Sequence, residues 1–234
     1  MSTSALVTSE ALASLELFHG LSSTGLAEVM GSARVRRLAA DTRIFSQGDA
    51  GVRAHALIDG GVRISQSGSD GAQIVMRFIG PGEMFGTVSL FTDGRYPADA
   101  VTLAESLEAS WSEAELFELM ARHPPIAINV IRVIGRRLQE VQDRLREIST
   151  QRVEQRVAHA VLRLARQAGQ STADGTAIEF PLRRKDVADI SGTTLHTASR
   201  ILTAWERAGL LVSYKQQLTV RQPSEILRIA HSTD

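Results

Sequence analysis

The stretch GTTLHTASRILTAWERAGLL, residues 192–211, places Leu195, Ala198, Ile201, Leu202, Trp205 and Leu210 at helical spacing. That pattern predicts a helix with one buried side. Its other side carries Thr194, His196, Thr197, Ser199, Arg200 and Thr203, all hydrogen-bonding types and only one of them long and basic. Solvated helix faces are rich in Lys and Glu, and this one is not. Upstream, RKDVADISG is a second helical pattern, joined to the first at Gly192, which can take the left-handed conformation that ends a helix. Thr193 or Thr194 can cap the next helix. Two helices joined by so short a turn predict a helix-turn-helix, whose second helix can enter the DNA major groove. LLVSYKQQLTVRQ, two short β runs, supplies the wing. Thr193, Thr194, His196, Thr197, Ser199 and Arg200, with Arg184 and Lys215, form the expected DNA-binding set: short or directional hydrogen-bonders for base edges, and cations for phosphate or guanine.

Working outward from that stretch, residues 151–234 also contain a helical pattern at VEQRVAHAVLRLARQAG, turns at Gly169 and Asp174-Gly175, and a short strand at AIEFPL. A closing helix at PSEILRIA is expected to be capped by Ser224. Pro124 and Pro125 suit the first turn of a preceding helix, which continues to about residue 150. Along it, Ala127, Ile131, Ile134, Leu138, Val141, Leu145 and Ile148 alternate spacings of four and three, flanked by charges. A strict heptad seam predicts a coiled-coil dimerisation helix, whereas a helix packed within its own domain has a wider apolar stripe. Ile131, Ile134, Leu138, Val141, Leu145 and Ile148 are the expected dimer contacts. Between about 34 and 112, some eight short alternating runs are separated by turns at GDAG, DGG, SGSDG and GPGE. Such spacing predicts an antiparallel, jelly-roll-like β-roll, filled by side chains or by a ligand. Residues 9–31 form a short helical entry. The expected class is α+β, with a β-roll sensor domain (1–122), a dimerisation helix (123–150) and a winged helix-turn-helix (151–234).

Composition narrows the function. The chain has 234 residues and no net charge, but residues 1–150 hold 14 Lys+Arg against 18 Asp+Glu, giving −4, and residues 151–234 hold 12 against 8, giving +4. A basic C-terminal part points to a polyanion. Cysteine is absent, which excludes disulfides, thiolate metal sites and iron–sulfur clusters. No apolar run approaches the ~20 residues of a membrane span. The N-terminus MSTSALVTSEALASLELF lacks the layout of a signal peptide, so the cytoplasm is the expected location. No G-x-S-x-G, Walker loop, dinucleotide fingerprint or paired-histidine metal motif is present, and the β-roll holds only His55, so the protein is not expected to be an enzyme.

Taken together, the parts resemble the Crp/Fnr superfamily of bacterial transcription regulators. The resemblance rests on a β-roll with GDAG (48–51) and GPGEMFG (80–86), the heptad helix, and the winged helix-turn-helix, and it covers essentially residues 15–225. It implies a homodimer, double-stranded DNA with a pseudo-palindromic operator, and RNA polymerase as a partner if the protein activates. Arg200 matches the family's recognition-helix arginine, and Ser199 the serine before it in the Fnr-like branch. His196 stands where the family carries glutamate, so the half-site is expected to differ. Aligned with the cyclic-AMP cassette, Thr87 falls at its glutamate, Pro97 at its arginine, Ala98 at its serine, and Val141 and Gln142 at its helix pair. The cyclic nucleotide is therefore not the expected ligand. The resemblance places the effector pocket at Gly86, Thr87, Val88, Arg95, Pro97, Ala98, Arg137 and Val141. GRYPADA (94–100) and LHTASR (195–200) are similar to the cluster-free branch, which includes nitric-oxide-responsive regulators, some of them haem-dependent. Haem is one cofactor this allows, with His19 and His123 as ligand candidates. Each can equally be an ordinary surface histidine, and a constitutive regulator without effector stays open.

Overall fold

The computed structural model describes residues 9–69, 71 and 73–232. Residues 1–8, read above for the lack of a signal peptide, and Asp70 of the SGSDG turn lie outside them. The chain opens with helix α1 (Ser9–Ser14), a 3₁₀ turn (Glu16–Phe18) and α2 (Ser23–Ser32), which is capped by the Ser22 hydroxyl. Eight strands follow: β1 (Arg34–Leu38), β2 (Arg43–Phe45), β3 (Arg53–Asp59), β4 (Val62–Ser67), β5 (Gln73–Ile79), β6 (Met84–Phe85), β7 (Asp99–Thr102) and β8 (Ser106–Ser112). They form two four-stranded antiparallel sheets, β1-β8-β3-β6 and β2-β7-β4-β5. Alternating side chains fill the space between them, among them Phe45, Val62, Ile79 and Phe85, while Trp111 on the opposite face of β8 packs against Phe18. The Trp111 indole donates to the Val29 carbonyl at 2.9 Å, which fixes α2 against the roll.

Helix α3 (Glu113–Arg122) starts with a capping box between Ser112 and Glu115. Helix α4 (Pro124–Thr150) has proline in its first turn, where no amide hydrogen is needed, and spans about 40 Å at 1.5 Å per residue. Its first half packs on the 3₁₀ turn and α3, where Ile126, Val130 and Val133 are buried, and Asn129 donates to the carbonyls of Leu17 and His19. On the same helix Ile131, Ile134, Leu138, Val141, Leu145 and Ile148 are all 37–70% exposed.

The remainder comprises α5 (Val153–Ala168), β9 (Gly169–Thr172), β10 (Gly175–Ile178), α6 (Arg184–Ser191), α7 (Leu195–Arg207), β11 (Leu211–Tyr214), β12 (Gln217–Val220) and α8 (Pro223–Ala230). A sheet ordered β11-β12-β10-β9 backs a core of Val161, Leu164, Phe180, Val187, Leu202 and Trp205. Val75 and Phe78 of β5 join this second core, with the Phe78 and Phe180 rings stacked at 5.5 Å.

Three expectations are corrected. Ser224 does not cap the last helix: Pro223 occupies its first turn and Gln222 precedes it, because proline's fixed φ suits that position. Gly169 opens strand β9 rather than a turn, since residues 169–172 pair with β10. Leu195 is not on the buried side of α7 but is 51% exposed at its first turn.

Candidate functional site

The helix-turn-helix is α6 and α7. Gly192 ends α6 in the left-handed conformation (φ 64°, ψ 45°), and the amides of Gly192 and Thr193 return to the carbonyls of Asp189 and Ala188. Thr194 then caps α7, its hydroxyl accepting from the Thr197 amide at 3.2 Å. Ala198, Ile201, Leu202 and Trp205 are buried, and the Trp205 indole donates to Glu154 at 3.0 Å. These anchors present the opposite face outward. His196, Ser199, Arg200, Thr203, Ala204 and Arg207 line a shallow concavity there. Among the described residues, Arg200 and Arg207 have no hydrogen-bond or ion-pair partner. A face with two unpaired guanidiniums, hydroxyls and an imidazole can donate to phosphates and base edges.

Thr193 lies in the turn, half-buried, and Thr197 lies on the first turn of α7. Lys215 sits at the tip of the β11–β12 wing with φ 47°, its ammonium 5.3 Å from the Tyr214 ring. Arg184, expected at the DNA, makes its contacts within the protein. Its guanidinium donates to the Ser199 carbonyl (2.8 Å), the Thr203 hydroxyl (2.7 Å) and both Glu206 oxygens (3.0 and 2.8 Å). It therefore holds α7 against α6, and its donors are engaged inside the protein. Arg207 was missed in the sequence, although its place two turns after Arg200 puts both on one helix face.

A second site lies in the β-roll. Phe45, Ile64, Ile79, Met84, Phe85, Tyr96 and their neighbours line a cavity of about 140 Å³ that opens to the surface. Of the expected pocket residues, Gly86, Thr87, Val88, Pro97, Ala98 and Arg137 line it. Gly86 has φ 70°, and a Cβ there would come within 2.9 Å of the Arg53 carbonyl, so the close approach requires glycine. Arg95 and Val141 do not line the cavity. The Arg95 guanidinium turns outward to the Gly48 carbonyl at 2.8 Å, and Val141 is 59% exposed on the outer face of α4.

Beside the cavity runs a buried polar chain that the sequence did not disclose. His55 Nδ1 lies 3.1 Å from Glu108 and Nε2 lies 3.0 Å from the Tyr96 hydroxyl, while Arg36 pairs with Glu108. Burial pushes the Glu108 carboxyl up, but the His55 and Arg36 contacts outweigh it and hold its pKa below the usual carboxylate range. The haem-ligand candidates lie elsewhere. His123 Nε2 is 3.0 Å from a Glu28 oxygen, and His19 is exposed beside the Ser14 carbonyl. Neither lines the apolar cavity, so neither is placed to ligate a haem held there. Among the described residues no cluster of three metal-ligating side chains occurs, and no helix is long and apolar enough to cross a membrane.

Comparison with known proteins agrees with both halves of this geometry. Residues 35–123 match the cyclic nucleotide-binding domain family, and residues 155–229 match the Crp-like helix-turn-helix domain family. The cyclic AMP receptor protein of Thermus thermophilus is 29% identical over 92% of this chain and 96% of its own length. The global nitrogen regulator of Nostoc sp. is 25% identical over 79% of this chain and 84% of its own. The structure of FixK2 from Bradyrhizobium japonicum superposes with a TM-score of 0.75 at 21% identity, covering 86% of this chain and 99% of that one. With both domain families present in order and regulators as relatives along most of its length, the chain belongs to the Crp/Fnr superfamily of DNA-binding transcription regulators and is not an enzyme.

Proposed function

We propose that the protein is a homodimeric, sequence-specific regulator in which residues 1–122 receive a signal, residues 123–150 dimerise and residues 151–234 bind DNA in the cytoplasm. The observation that carries this reading is the pair of unpartnered faces on α4 and α7. Six large apolar side chains stand exposed in heptad register along α4, and a second copy would bury them as knobs between its own. The exposed face of α7 carries His196, Ser199, Arg200 and Arg207, with Thr193, Thr194, Thr197 and the wing residue Lys215 around it. Two such helices related by a two-fold axis would read half-sites about 10–10.5 base pairs apart. The cavity at Gly86, Thr87, Val88, Pro97, Ala98 and Arg137 is the effector site, and an occupant would act by changing how the two α4 helices pack. RNA polymerase is the further partner of an activator.

The test is analytical ultracentrifugation of the purified protein together with selection of binding sites from random duplexes. A dimer that enriches a two-fold symmetric sequence is the expected result. A monomer at micromolar concentration, or binding indifferent to sequence, would overturn the reading.

A further inference from the structure

The chemistry of the β-roll cavity defines what it can hold, given the reading of that cavity as the effector site. Its walls are the rings of Phe45, Phe85 and Tyr96 with aliphatic side chains around them, and no carboxylate lines it. Two polar atoms of its lining residues are buried with no hydrogen-bond partner, Ser89 Oγ and Arg137 Nη1. Ser89 is only 1% exposed. Arg137, on α4, donates through Nη2 to the Met84 carbonyl at 2.7 Å and forms no ion pair among the described residues. The other arginine at the cavity, Arg77, is already neutralised by Glu83 and Glu140. A buried guanidinium edge without a counter-charge is costly when left alone, and it is a ready donor to an anion.

Size supplies the second constraint. The cavity of about 140 Å³ is close to the roughly 150 Å³ of an engineered apolar cavity that admits benzene. One ring, or a branched alkyl group of similar bulk, fills such a space. A cyclic phosphodiester would meet Pro97 and Ala98, neither of which has a side-chain donor.

We propose that this cavity binds a small, mostly apolar monoanion, a carboxylate bearing one aromatic ring or a branched alkyl group. The carboxylate meets Arg137 Nη1 and the Ser89 hydroxyl, and the apolar body rests against Phe45, Phe85 and Tyr96. Because Arg137 belongs to α4, the bound anion adds a charged tie between the β-roll and the helix that carries the exposed heptad stripe. Occupancy is thereby coupled to the geometry of that helix.

The experiment is isothermal titration of the full-length protein with benzoate, phenylacetate and isovalerate, with benzyl alcohol as a neutral counterpart, and with cyclic AMP. At least one carboxylate is expected to saturate one site per chain, and benzyl alcohol to bind at least about ten-fold more weakly, the effect of one charge-assisted hydrogen bond. Arg137→Gln is expected to lose about ten-fold or more, and Ser89→Ala a smaller factor, both with unchanged sedimentation. Should Arg137→Gln fail to fold, Ser89→Ala and the comparison of charged with neutral ligand still decide. Equal affinity for benzoate and benzyl alcohol, tighter binding of cyclic AMP, or no carboxylate binding at millimolar concentration would each overturn the proposal. Fluorescence anisotropy on a selected operator, run on the same samples, separates the two failures. Operator binding that persists without carboxylate binding removes the ligand class alone, and loss of specific DNA binding removes the regulator reading itself.

Discussion

Arg200 and Arg184 carry the same guanidinium into opposite circumstances. Arg200 stands exposed on α7 with no partner among the described residues, whereas Arg184 spends its donors on Ser199, Thr203 and Glu206. Under the proposed function, Arg200→Ala costs about 1–3 kcal/mol of operator binding and relaxes base preference at one position. Anisotropy on the operator and on scrambled duplexes checks this, and an equal loss on both would reassign Arg200 to phosphate. Arg184→Ala behaves differently: it frees the Glu206 carboxylate and loosens α7, costing about 1 kcal/mol of stability because the pair is partly solvated. DNA affinity then falls alike on all sequences, with base preference kept. Gly192 is a third case. A Cβ there would find its nearest atoms at 3.7 Å, so space is available, and the left-handed φ is the whole obstacle. Gly192→Ala lowers stability by about 1–2 kcal/mol, read from chemical denaturation.

At the scale of elements, α4 is two surfaces on one rod. Ile126, Val130 and Val133 are buried within the chain, while the Ile131–Ile148 stripe is exposed. Burial of the first set contributes to the fold of a single chain, about 1.5–3 kcal/mol for each fully buried side chain. The stripe has no intramolecular role of that kind. Leu138→Ala and Val141→Ala are therefore expected to leave the circular dichroism spectrum intact while raising the dimer dissociation constant at least about ten-fold, since each substitution removes buried methyls twice per dimer. Operator binding weakens in parallel. An unchanged sedimentation profile would count against α4 as the dimer contact.

For the molecule as a whole, the β-roll and the helix-turn-helix meet through specific contacts rather than a free linker. Phe78 stacks on Phe180, Arg63 pairs with Asp186, and the Arg144 guanidinium donates to the carbonyls of Met76 in β5 and Ile190 in α6. Glu147, near the end of α4, accepts two hydrogen bonds from Arg163 of α5, with His159 beside it. Burial lowers the His159 pKa; Glu147 opposes this and Arg163 and His231 reinforce it. The unfolded chain therefore binds more protons at this site, and stability rises with pH. As pH falls below the ordinary value of 6.5, stability drops until the lowered folded pKa is passed. His159→Gln removes that part of the pH dependence, measurable as a flatter melting temperature between neutral and mildly acid buffer. A profile as steep as the parent's would show that His159 does not titrate on unfolding.

By itself the sequence determined the order of the parts, because local signals carry it: glycine turns between alternating strands, proline at the head of α4, a heptad repeat, and a glycine between two amphipathic helices. It also determined the cofactors excluded by the absence of cysteine. The polar face of α7 was legible for the same reason, since helical periodicity alone places Ser199 and Arg200 together. Only the tertiary structure decided which cations are free. Arg184 and Arg200 are the same residue type to any pattern, and the distinction is made by Glu206, Thr203 and Ser199 closing on one of them. It likewise turned Arg95 out of the β-roll cavity, left Ser89 and Arg137 as its unsatisfied polar atoms, and buried His55 with Glu108 across a strand pair. These outcomes depend on contacts between residues far apart in the chain, where hydrogen-bond partners are chosen by three-dimensional proximity and not by spacing along it.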